Sequence, residues 1–320
     1  MLNPKLTSTP KKFTLLFRQL RSRMNTRRPW GAIILFLAPV MLFFLIFVIY
    51  PMLATFYYSL HTIEPIGGEL VARFVGLENY IQLFEDKIFY QTVKNTLLWG
   101  VVGPAIEMIV ALALAFFVYY KVPFHRFYRV AWFTPMLVSG VIVGLIFRWI
   151  FNYDWGLLNE GLRAIGLDSL ALNWLGRRDT PIWVVIFVHF WATFGFSFIL
   201  LLAGLTAVPE ELKDAARVDG ATTLQTIWHV LLPMLRPTFV TALILSFMGK
   251  MRAFHVVWVL TNGGPMHFSE TVATYVQKRA FRWSTLDLGY PSTIAVLWFG
   301  VVLIGVGLLN RWLSKRAEDY

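Results

Sequence analysis

The sequence predicts an all-α, polytopic membrane protein with six transmembrane helices. Of its 320 residues, 57% are hydrophobic and only 15% are charged, and the mean hydropathy is +0.61, well above that of soluble domains. Apolar runs that can cross a bilayer recur six times, and about 20 residues suffice for one crossing. Basic residues gather between alternate runs, which is the charge pattern of a membrane topology.

Six segments qualify as spans because each is apolar over the length that a crossing requires. They are residues 31–60, 95–120, 130–147, 181–209, 237–259 and 287–310. The second contains Glu107, and the fifth is interrupted by Lys250 and Arg252. We expect one six-helix membrane domain over 31–311, preceded by a basic segment and followed by a tail over 312–320.

The distribution of Lys and Arg predicts the orientation, since basic residues are retained on the cytoplasmic side. If the N-terminus is inside, 17 of the 29 Lys and Arg residues lie on the inner side and 9 on the outer side. Both termini are therefore expected in the cytoplasm. Residues 1–30 carry eight basic side chains and no acid, and they are expected to form either a helix on the anionic leaflet or a disordered tail.

Composition and motifs exclude several classes of function. Cysteine is absent, which rules out disulfides, thiolate catalysis and cysteine-ligated zinc. The net charge of +11 is explained by membrane topology rather than by a nucleic-acid partner. The chain has no H-E-x-x-H or G-x-S-x-G motif, and "GFSF" at 195–198 lacks the second glycine. We therefore expect no catalytic residues, no metal site and no cofactor.

A charged segment, "EELKDAARVDGATTLQTIWHVLLP" at 210–233, separates the fourth and fifth spans. Glu210 and Glu211 follow a proline and favour a helix start, because carboxylates stabilise the positive end of the helix dipole. Gly220 predicts a break, and a second helical piece is expected after it, up to Pro233. By itself this pattern fits either a connector stabilised by its own charges or a piece whose small residues dock on a partner.

Spacing within this segment distinguishes the two possibilities. "DAARVDG" at 214–220, followed after nine residues by "VLLP" at 230–233, resembles the cytoplasmic signature of ABC importer permeases: EAA, three residues, G, nine residues, I-x-L-P. Asp214 stands in place of the usual Glu and Val230 in place of Ile, and both changes keep charge or shape. The segments at 127–159, 259–265 and 281–297 also look like the carbohydrate-importing branch of that family, which includes maltose, lactose, multiple-sugar and glycerol-3-phosphate permeases. The resemblance covers roughly residues 30–310 and implies a multi-pass protein of the bacterial cytoplasmic (inner) membrane.

The resemblance also implies partners. The chain would pair with a second, related permease, rest on two cytoplasmic ABC ATPase subunits and receive a sugar-type substrate from an extracytoplasmic solute-binding protein. ATP would be bound by the ATPases, because this chain has no G-x-x-x-x-G-K-[ST] loop. In the family, the helix before the signature glycine docks on the ATPase. The residues expected to carry that coupling here are Glu210, Glu211, Asp214, Ala215, Ala216, Gly220 and Pro233.

Polar groups inside a membrane are costly and often mark a substrate pathway. His189 in the fourth span and Lys250 in the fifth lie at similar depth, given the 1.5 Å rise per helical residue. We hypothesise that the sugar cavity is lined by His189, Thr193, Phe196, Ser246 and Lys250. Lys250 either favours an anionic sugar derivative or extends to the outer headgroups, and His189 alternatively bonds to a neighbouring helix.

The alternative class of function is a gradient-driven secondary transporter or channel for small polar solutes. Glu107 in the second span could then serve proton coupling, whereas in a permease it is expected to make an interhelix or gate contact. A secondary transporter would move solute without an ATPase. It gives no reason for the signature at 214–233, which therefore favours the importer.

Overall fold

The computed structural model describes residues 30–66, 69–281 and 288–314. The chain divides into two units, Met1–Ala54 and Thr55–Tyr320, and all packing described below lies within the second unit. The two terminal segments predicted from the sequence lie mostly outside the described residues. Their boundaries therefore stay predictions.

The part of the chain that the structure describes holds fourteen α-helices and two strands. The helices are α1 (Trp30–Phe44), α2 (Tyr50–Ser59), α3 (Glu78–Glu85), α4 (Lys87–Tyr119), α5 (His125–Phe133), α6 (Gly140–Ile150), α7 (Leu157–Ala164), α8 (Pro181–Thr206), α9 (Glu210–Val218), α10 (Thr223–Thr226), α11 (Leu232–Met251), α12 (His255–Leu260), α13 (Val272–Phe281) and α14 (Gly289–Ser314). Short π-helical turns, Leu45–Ile49 and Ile227–Leu231, join α1 to α2 and α10 to α11. The molecule is mainly helical, as the composition predicts.

Five helical segments are long and apolar enough to cross a membrane, and the described residues hold up to six such spans if one bent helix pair is counted. The five are Ile33–Ser59, Lys87–Tyr119, Pro181–Thr206, Thr223–Met251 and Gly289–Arg311. Each overlaps a predicted span. The predicted number of crossings is reached only when the bent pair is counted as one crossing.

The third predicted span, residues 130–147, is not one helix. It is divided between α5 and α6, and His125–Leu137 meets Gly140–Ile150 at an angle of 98°. Pro135 lies in a 3₁₀ turn at this break, since proline lacks an amide donor and disfavours helical geometry in the residue before it. Val138 is extended. The prediction of an uninterrupted span is wrong here.

The fifth predicted span, residues 237–259, is also wrong at both ends. Helix α11 begins before this range and ends at Met251, after which the chain turns into α12. Donors outside the helix occupy its last carbonyl groups: the Ala253 amide donates to the Lys250 carbonyl at 3.3 Å, and Trp298 Nε1 donates to the Met251 carbonyl at 2.9 Å. These two donors satisfy carbonyl groups that the end of the helix leaves without an intrahelical partner.

A β-hairpin before α3 departs from the predicted all-α fold. Strand β1 (His61–Ile66) pairs antiparallel with strand β2 (Glu69–Phe74) through six residue pairs. Asn79 of α3 fixes the base of the hairpin, because its Nδ2 donates to the carbonyl oxygen of His61 at 3.0 Å. The fold is therefore a helical membrane bundle with one small hairpin.

Asp86 fastens α4, α13 and α14 together at one end of the bundle. Its carboxylate caps α4 by accepting hydrogen bonds from the amides of Ile88 and Phe89 at 2.8 and 3.2 Å. It also accepts hydrogen bonds from the hydroxyl of Tyr275 and from that of Tyr290 at 2.6 Å. Burial acts to raise the pKa of Asp86, but the hydrogen bonds from the two tyrosines and the two amides together hold that pKa below its ordinary value. Asp86 is therefore charged in the fold at neutral pH.

Helices α4, α8 and α11 form the core that positions the polar side chains. Buried apolar residues join them, including Met108 of α4, Phe198 of α8 and Leu235 of α11. Gly195 lets α8 approach the bent pair closely, because a Cβ at this position would lie 2.6 Å from the carbonyl oxygen of Trp132. This close packing brings polar groups of the three core helices into direct contact.

Candidate functional site

Helix α9, the predicted coupling helix, is held against the membrane helices by Lys213. Glu210 and Glu211 occupy its first turn, where carboxylates are favoured. Lys213 Nζ lies 2.7 Å from the Glu210 carboxylate and donates to the Tyr119 hydroxyl at 3.0 Å. The hydrogen bonds to Glu210 and then to Tyr119 raise the pKa of Lys213. Because Lys213 faces the bundle, the opposite face of α9 points outward.

Helix α9 ends in a Schellman turn that depends on glycine. The Ala221 amide donates to the Ala216 carbonyl at 2.9 Å, and the Gly220 amide donates to the Arg217 carbonyl at 3.1 Å. Gly220 has a φ of +76°, a left-handed conformation that glycine adopts without steric cost. The break expected at Gly220 is thus a specific turn.

The outward face of α9 carries small, acidic and apolar side chains. Asp214 and Ala215 are exposed and Ala216 is half-buried. Val218 is 87% exposed and Leu212 is 41% exposed. These two side chains leave apolar area uncovered on a short charged helix.

The second helical piece begins with a capping box. The Thr222 hydroxyl accepts from the Gln225 amide at 3.4 Å, and the Gln225 side chain accepts from the Thr222 amide at 2.8 Å. The piece does not end at Pro233, as the sequence had suggested. Pro233 lies in the first turn of α11, and the π-helical turn before it makes the connection continuous. The coupling segment therefore runs directly into a membrane helix.

A second polar group, the Glu107 cluster, lies between α4, α8 and α11 and comprises Glu107, Ser197, Ser246 and Lys250. Glu107 and Lys250 form an ion pair and are each 2% exposed. Ser197 donates to Glu107 Oε1 at 2.5 Å, and Ser246 donates to Oε2 at 3.0 Å. Lys250 also donates to the Ser246 hydroxyl at 2.8 Å. Both carboxylate oxygens are paired, as a buried charge requires.

His189 and Thr193 lie one turn apart on α8, beside the Glu107 cluster. The Thr193 hydroxyl donates to the His189 carbonyl at 2.9 Å and lies 3.5 Å from Glu107 Oε2. The imidazole of His189 packs edge to face with the indole of Trp99, with ring centroids 4.9 Å apart. His189 therefore contacts the neighbouring helix α4.

Four of the five residues predicted to line a substrate cavity gather at the Glu107 cluster, and Phe196 does not. Phe196 is 40% exposed on α8. The interpretation that Lys250 extends to the headgroups is wrong, because its ammonium is buried against Glu107. The same ion pair removes the argument for an anionic substrate, since the charge of Lys250 is balanced within the protein. The expected interhelix contact of Glu107 is confirmed.

Sequence reasoning missed three contributors to this cluster: Trp99, Gly103 and Ser197. Gly103 makes room for the Lys250 side chain, because a Cβ there would lie 3.4 Å from Lys250 Cε and 3.1 Å from Trp99 Cδ1. Trp99, Gly103 and Glu107 follow one another at intervals of four residues on α4. This spacing puts them on one helix face and is the signal that could have identified them.

The bundle defines a class of protein: a multi-pass membrane protein with a charged, glycine-ended helix outside its spans and a paired charge inside them. The chain belongs to the family of binding-protein-dependent transport system inner membrane components, whose family model matches residues 107–319. It is therefore a permease subunit of an ABC importer, located in the inner membrane.

The chain is similar to curated permeases over most of its length. It is 35% identical over 288 residues to the probable ABC transporter permease protein YurN of Bacillus subtilis, covering 89% of this chain and 96% of the relative. It is 31% identical over 285 residues to the sulfoquinovosyl glycerol transport system permease protein SmoG of Agrobacterium fabrum, covering 88% of this chain and 90% of the relative. The trehalose/maltose transport system permease protein MalF of Thermococcus litoralis is 32% identical over 270 residues, covering 84% of this chain and 89% of the relative.

The fold is shared with a solved ABC importer. A chain from the crystal structure of a bacterial alginate ABC transporter, in complex with a periplasmic protein bound to alginate pentasaccharide, superposes with a TM-score of 0.76. The match covers 90% of this chain and 95% of that one, at 21% identity. It shows that the two chains share one fold.

Proposed function

We propose that this chain forms one half of the translocation path of a sugar importer and that a second, homologous permease forms the other half. Helix α9 docks on one of two cytoplasmic ABC ATPases, which bind and hydrolyse ATP, and an extracytoplasmic solute-binding protein delivers the substrate. The observation that carries the proposal is the outward face of α9. That face ends at a glycine-dependent turn and coincides with the residues that resemble the ATPase-docking signature of the family.

The proposed topology has six crossings with both termini in the cytoplasm. At one end of the bundle, Tyr119, Arg126 and Lys213 line a common cavity. Arg126 and Lys213 belong to segments predicted to lie inside, and Tyr119 ends the span that leads to the first of them. At the other end, Asp86 binds Tyr275, and both belong to segments predicted to lie outside. Segments predicted to lie inside thus meet at one end of α4, and segments predicted to lie outside meet at the other end, in agreement with the charge distribution.

The docking proposal follows from which side of α9 is free. Lys213 is committed to the bundle through Tyr119, so the face bearing Asp214, Ala215 and Val218 remains for a partner. Ala215 permits close approach of a cleft wall, and Val218 supplies apolar area that water would otherwise cover. Asp214 provides a charge that orients the helix against a basic residue of the ATPase.

The proposed substrate is a sugar or sugar derivative, because the names of the similar permeases include sulfoquinovosyl glycerol and trehalose/maltose systems. Helix α8 offers two half-exposed aromatic side chains, Trp191 at 37% and Phe196 at 40%, and aromatic faces suit the apolar faces of sugar rings. His189 and Thr193 lie on the same helix and supply hydrogen-bonding groups. Lys250 supports this path by holding Glu107 rather than by meeting the substrate as a free charge.

Substitutions at Gly220 test the docking proposal. A Cβ at Gly220 meets no atom within 4 Å, so a substitution acts through the left-handed backbone and not through a clash. Asn tolerates this conformation, whereas a β-branched residue does not. In pull-downs from detergent-solubilised membranes, we expect Gly220→Val to lose the ATPase and the matched control Gly220→Asn to keep it, as quantified by mass spectrometry.

A second variant tests the surface directly. Ala215→Arg puts a large charged side chain on the exposed face of α9 without touching the turn, and we expect it to release the ATPase while the second permease still copurifies. Full retention of the ATPase by both Ala215→Arg and Gly220→Val would refute docking through α9. Solute movement by the chain in vesicles without ATP or an ATPase would favour a secondary transporter instead.

A further inference from the structure

Helix α5 is amphipathic and has two opposed faces. Tyr128 stacks on Trp132 with ring centroids 5.2 Å apart, and Trp132 packs edge to face on α8 at 5.6 Å. On the opposite side, Phe127 is 67% exposed and Val130 is 65% exposed. In the proposed topology α5 and α6 together make the third crossing, with a bend of 98° between them. The exposed apolar residues of α5 then face the acyl chains.

A cavity of about 770 Å³ opens beside a third face of α5. The cavity lies between the ends of α4 and α8 and the coupling segment, far from the Glu107 cluster. Its lining is strongly cationic for a pocket of this size. The basic side chains and histidine that line it are Lys121, His125, Arg126, Arg129, Lys213 and Arg217, and Glu210 is the one acid among its lining residues.

Part of this positive charge is already balanced. Lys213 pairs with Glu210 at 2.7 Å, and Arg217 pairs with Asp214 at 3.1 Å. Three other cations make no ion pair with any carboxylate in the described residues, namely Lys121, Arg126 and Arg129. The cavity therefore carries an excess of positive charge that a bound anion would balance.

We propose that this cavity binds the phosphate of an anionic phospholipid headgroup, with Arg126 and Arg129 as its main ligands and Lys121 as a further cation. The inference rests on the topology given under the proposed function, which places the cavity at the cytoplasmic leaflet. That leaflet carries anionic lipids, and basic pockets between membrane helices bind their headgroups. Guanidinium groups suit phosphate because they donate two parallel hydrogen bonds.

The apolar face of α5 distinguishes a lipid from a free phosphate ion. Phe127 and Val130 lie on the same short helix as the two arginines, so one ligand can place its phosphate in the cavity and its acyl chains against this face. A free phosphate ion would use the cations and leave the exposed apolar side chains without a partner. The combination of both features on α5 favours the lipid.

The test uses the complete transporter complex, purified in detergent and stripped of lipid. It is titrated with dioctanoyl phosphatidylglycerol, with dioctanoyl phosphatidylcholine and with inorganic phosphate, and bound molecules are counted by native mass spectrometry. The test variant is Arg126→Gln/Arg129→Gln. The matched control is Arg73→Gln/Lys94→Gln, which removes the same charge from exposed positions near the other end of the bundle.

We expect the wild type to prefer phosphatidylglycerol over phosphatidylcholine. Each basic residue near a membrane surface contributes about fivefold in affinity, so the double arginine variant should bind phosphatidylglycerol about thirtyfold more weakly, and the control should bind it as the wild type does. If the double variant does not fold, as judged by size-exclusion chromatography, the exposed Lys121→Gln is measured in its place, with a loss of about fivefold expected.

Four results would overturn the inference. Equal binding of the two lipids would show that the cavity does not recognise an anionic headgroup. Undiminished binding by the arginine variant would show that Arg126 and Arg129 are not its ligands. Phosphate binding that equals lipid binding assigns the cavity to a free anion. Lipid binding by the isolated permease pair that vanishes in the complete complex assigns the cavity to the ATPase surface. Lipid counts are independent of sugar uptake, so a failure of the proposed function would appear separately, as absent ATP-driven transport by the wild type.

Discussion

Lys250→Met should destabilise the protein strongly, and removing the charge of Glu107 as well should restore most of the loss. Methionine keeps a long unbranched side chain in place of the lysine stem but removes the ammonium group. In this variant Glu107 keeps its hydrogen bonds from Ser197 at 2.5 Å and Ser246 at 3.0 Å, but it loses its counter-charge. A carboxylate that is 2% exposed cannot recover the missing interaction from water.

The structure sets the expected magnitude. Removing one partner of a buried ion pair costs about 3–5 kcal/mol, because the other charge stays buried without compensation. Both carboxylate oxygens retain a hydroxyl donor, so Lys250→Met should fall near the lower limit, about 3 kcal/mol. Glu107→Gln leaves Lys250 bonded to Ser246 at 2.8 Å and should cost a similar amount. Replacing a buried pair by uncharged residues is often close to neutral, so the double variant should regain at least about 2 kcal/mol relative to the sum of the single losses.

The assay is thermal unfolding of the purified protein in detergent, followed by tryptophan fluorescence at a fixed heating rate. At roughly 2–4 °C per kcal/mol, each single variant should unfold about 6–12 °C below the wild type. Lys94→Met is the matched control, because Lys94 is exposed on the same helix as Glu107, and its midpoint should stay near that of the wild type. A loss in the double variant equal to the sum of the two single losses would show that the two charges are not coupled and would refute the reasoning.

Two further predictions concern packing and protonation outside the Glu107 cluster. The pKa of Asp86 is lowered in the fold. Its charge therefore stabilises the fold at pH values above the ordinary pKa of about 3.8, and this stabilisation is lost as the pH falls through the lowered pKa. The unfolding midpoint should therefore fall more between pH 5 and pH 3 in the wild type than in Asp86→Asn; parallel pH curves would contradict this. Gly195→Ala should cost about 1–3 kcal/mol by overpacking, because its Cβ would meet a carbonyl oxygen at 2.6 Å. The control Gly161→Ala, whose Cβ meets nothing within 4 Å, should leave the midpoint unchanged or raise it, and an equal loss in both variants would argue against the close contact.

The coupling segment could be predicted from sequence because its structure depends on neighbouring residues. Carboxylates at Glu210 and Glu211 favour a helix start by their position alone. Gly220 adopts the left-handed turn that glycine uniquely favours, and this turn closes within a few residues of the chain. Local signals of this kind survive in any tertiary context, so the helix and its break were placed correctly.

The fate of the intramembrane charges could not be predicted in the same way. The partner of Lys250 is Glu107, and hydropathy treats each of them only as an interruption of an apolar run. Their contact depends on how α4 and α11 pack, which no local pattern of either segment specifies. For the same reason the sequence left the substrate role of Lys250 open, whereas the ion pair now assigns its charge to Glu107.

Two errors of secondary structure have different causes. Hydropathy measures how apolar a run of residues is, but it does not report a change in the direction of the helix. The bend at Pro135 therefore leaves no trace in hydropathy, and the run is predicted as one straight span. The hairpin was missed although the sequence contains its signal, because two glycines, Gly67 and Gly68, separate β1 from β2 and such pairs are typical of tight turns between strands. The first error follows from the method of counting apolar residues, and the second from giving turn residues too little weight.

Helix α4 is one continuous helix that connects the two ends of the bundle. Its 33 residues extend over about 50 Å, from the Asp86 cap at one end to Tyr119, which holds Lys213 of α9, at the other. The hydrogen bond between Lys213 and Tyr119 therefore links α9 to the same helix that carries Glu107. Pro104 lies three residues before that carboxylate, and because proline has no amide proton, the helical hydrogen bond to the Gly100 carbonyl is missing there. Helix α4 lacks one backbone hydrogen bond at this point, so a bend there would cost least and would leave the end held by Asp86 in place.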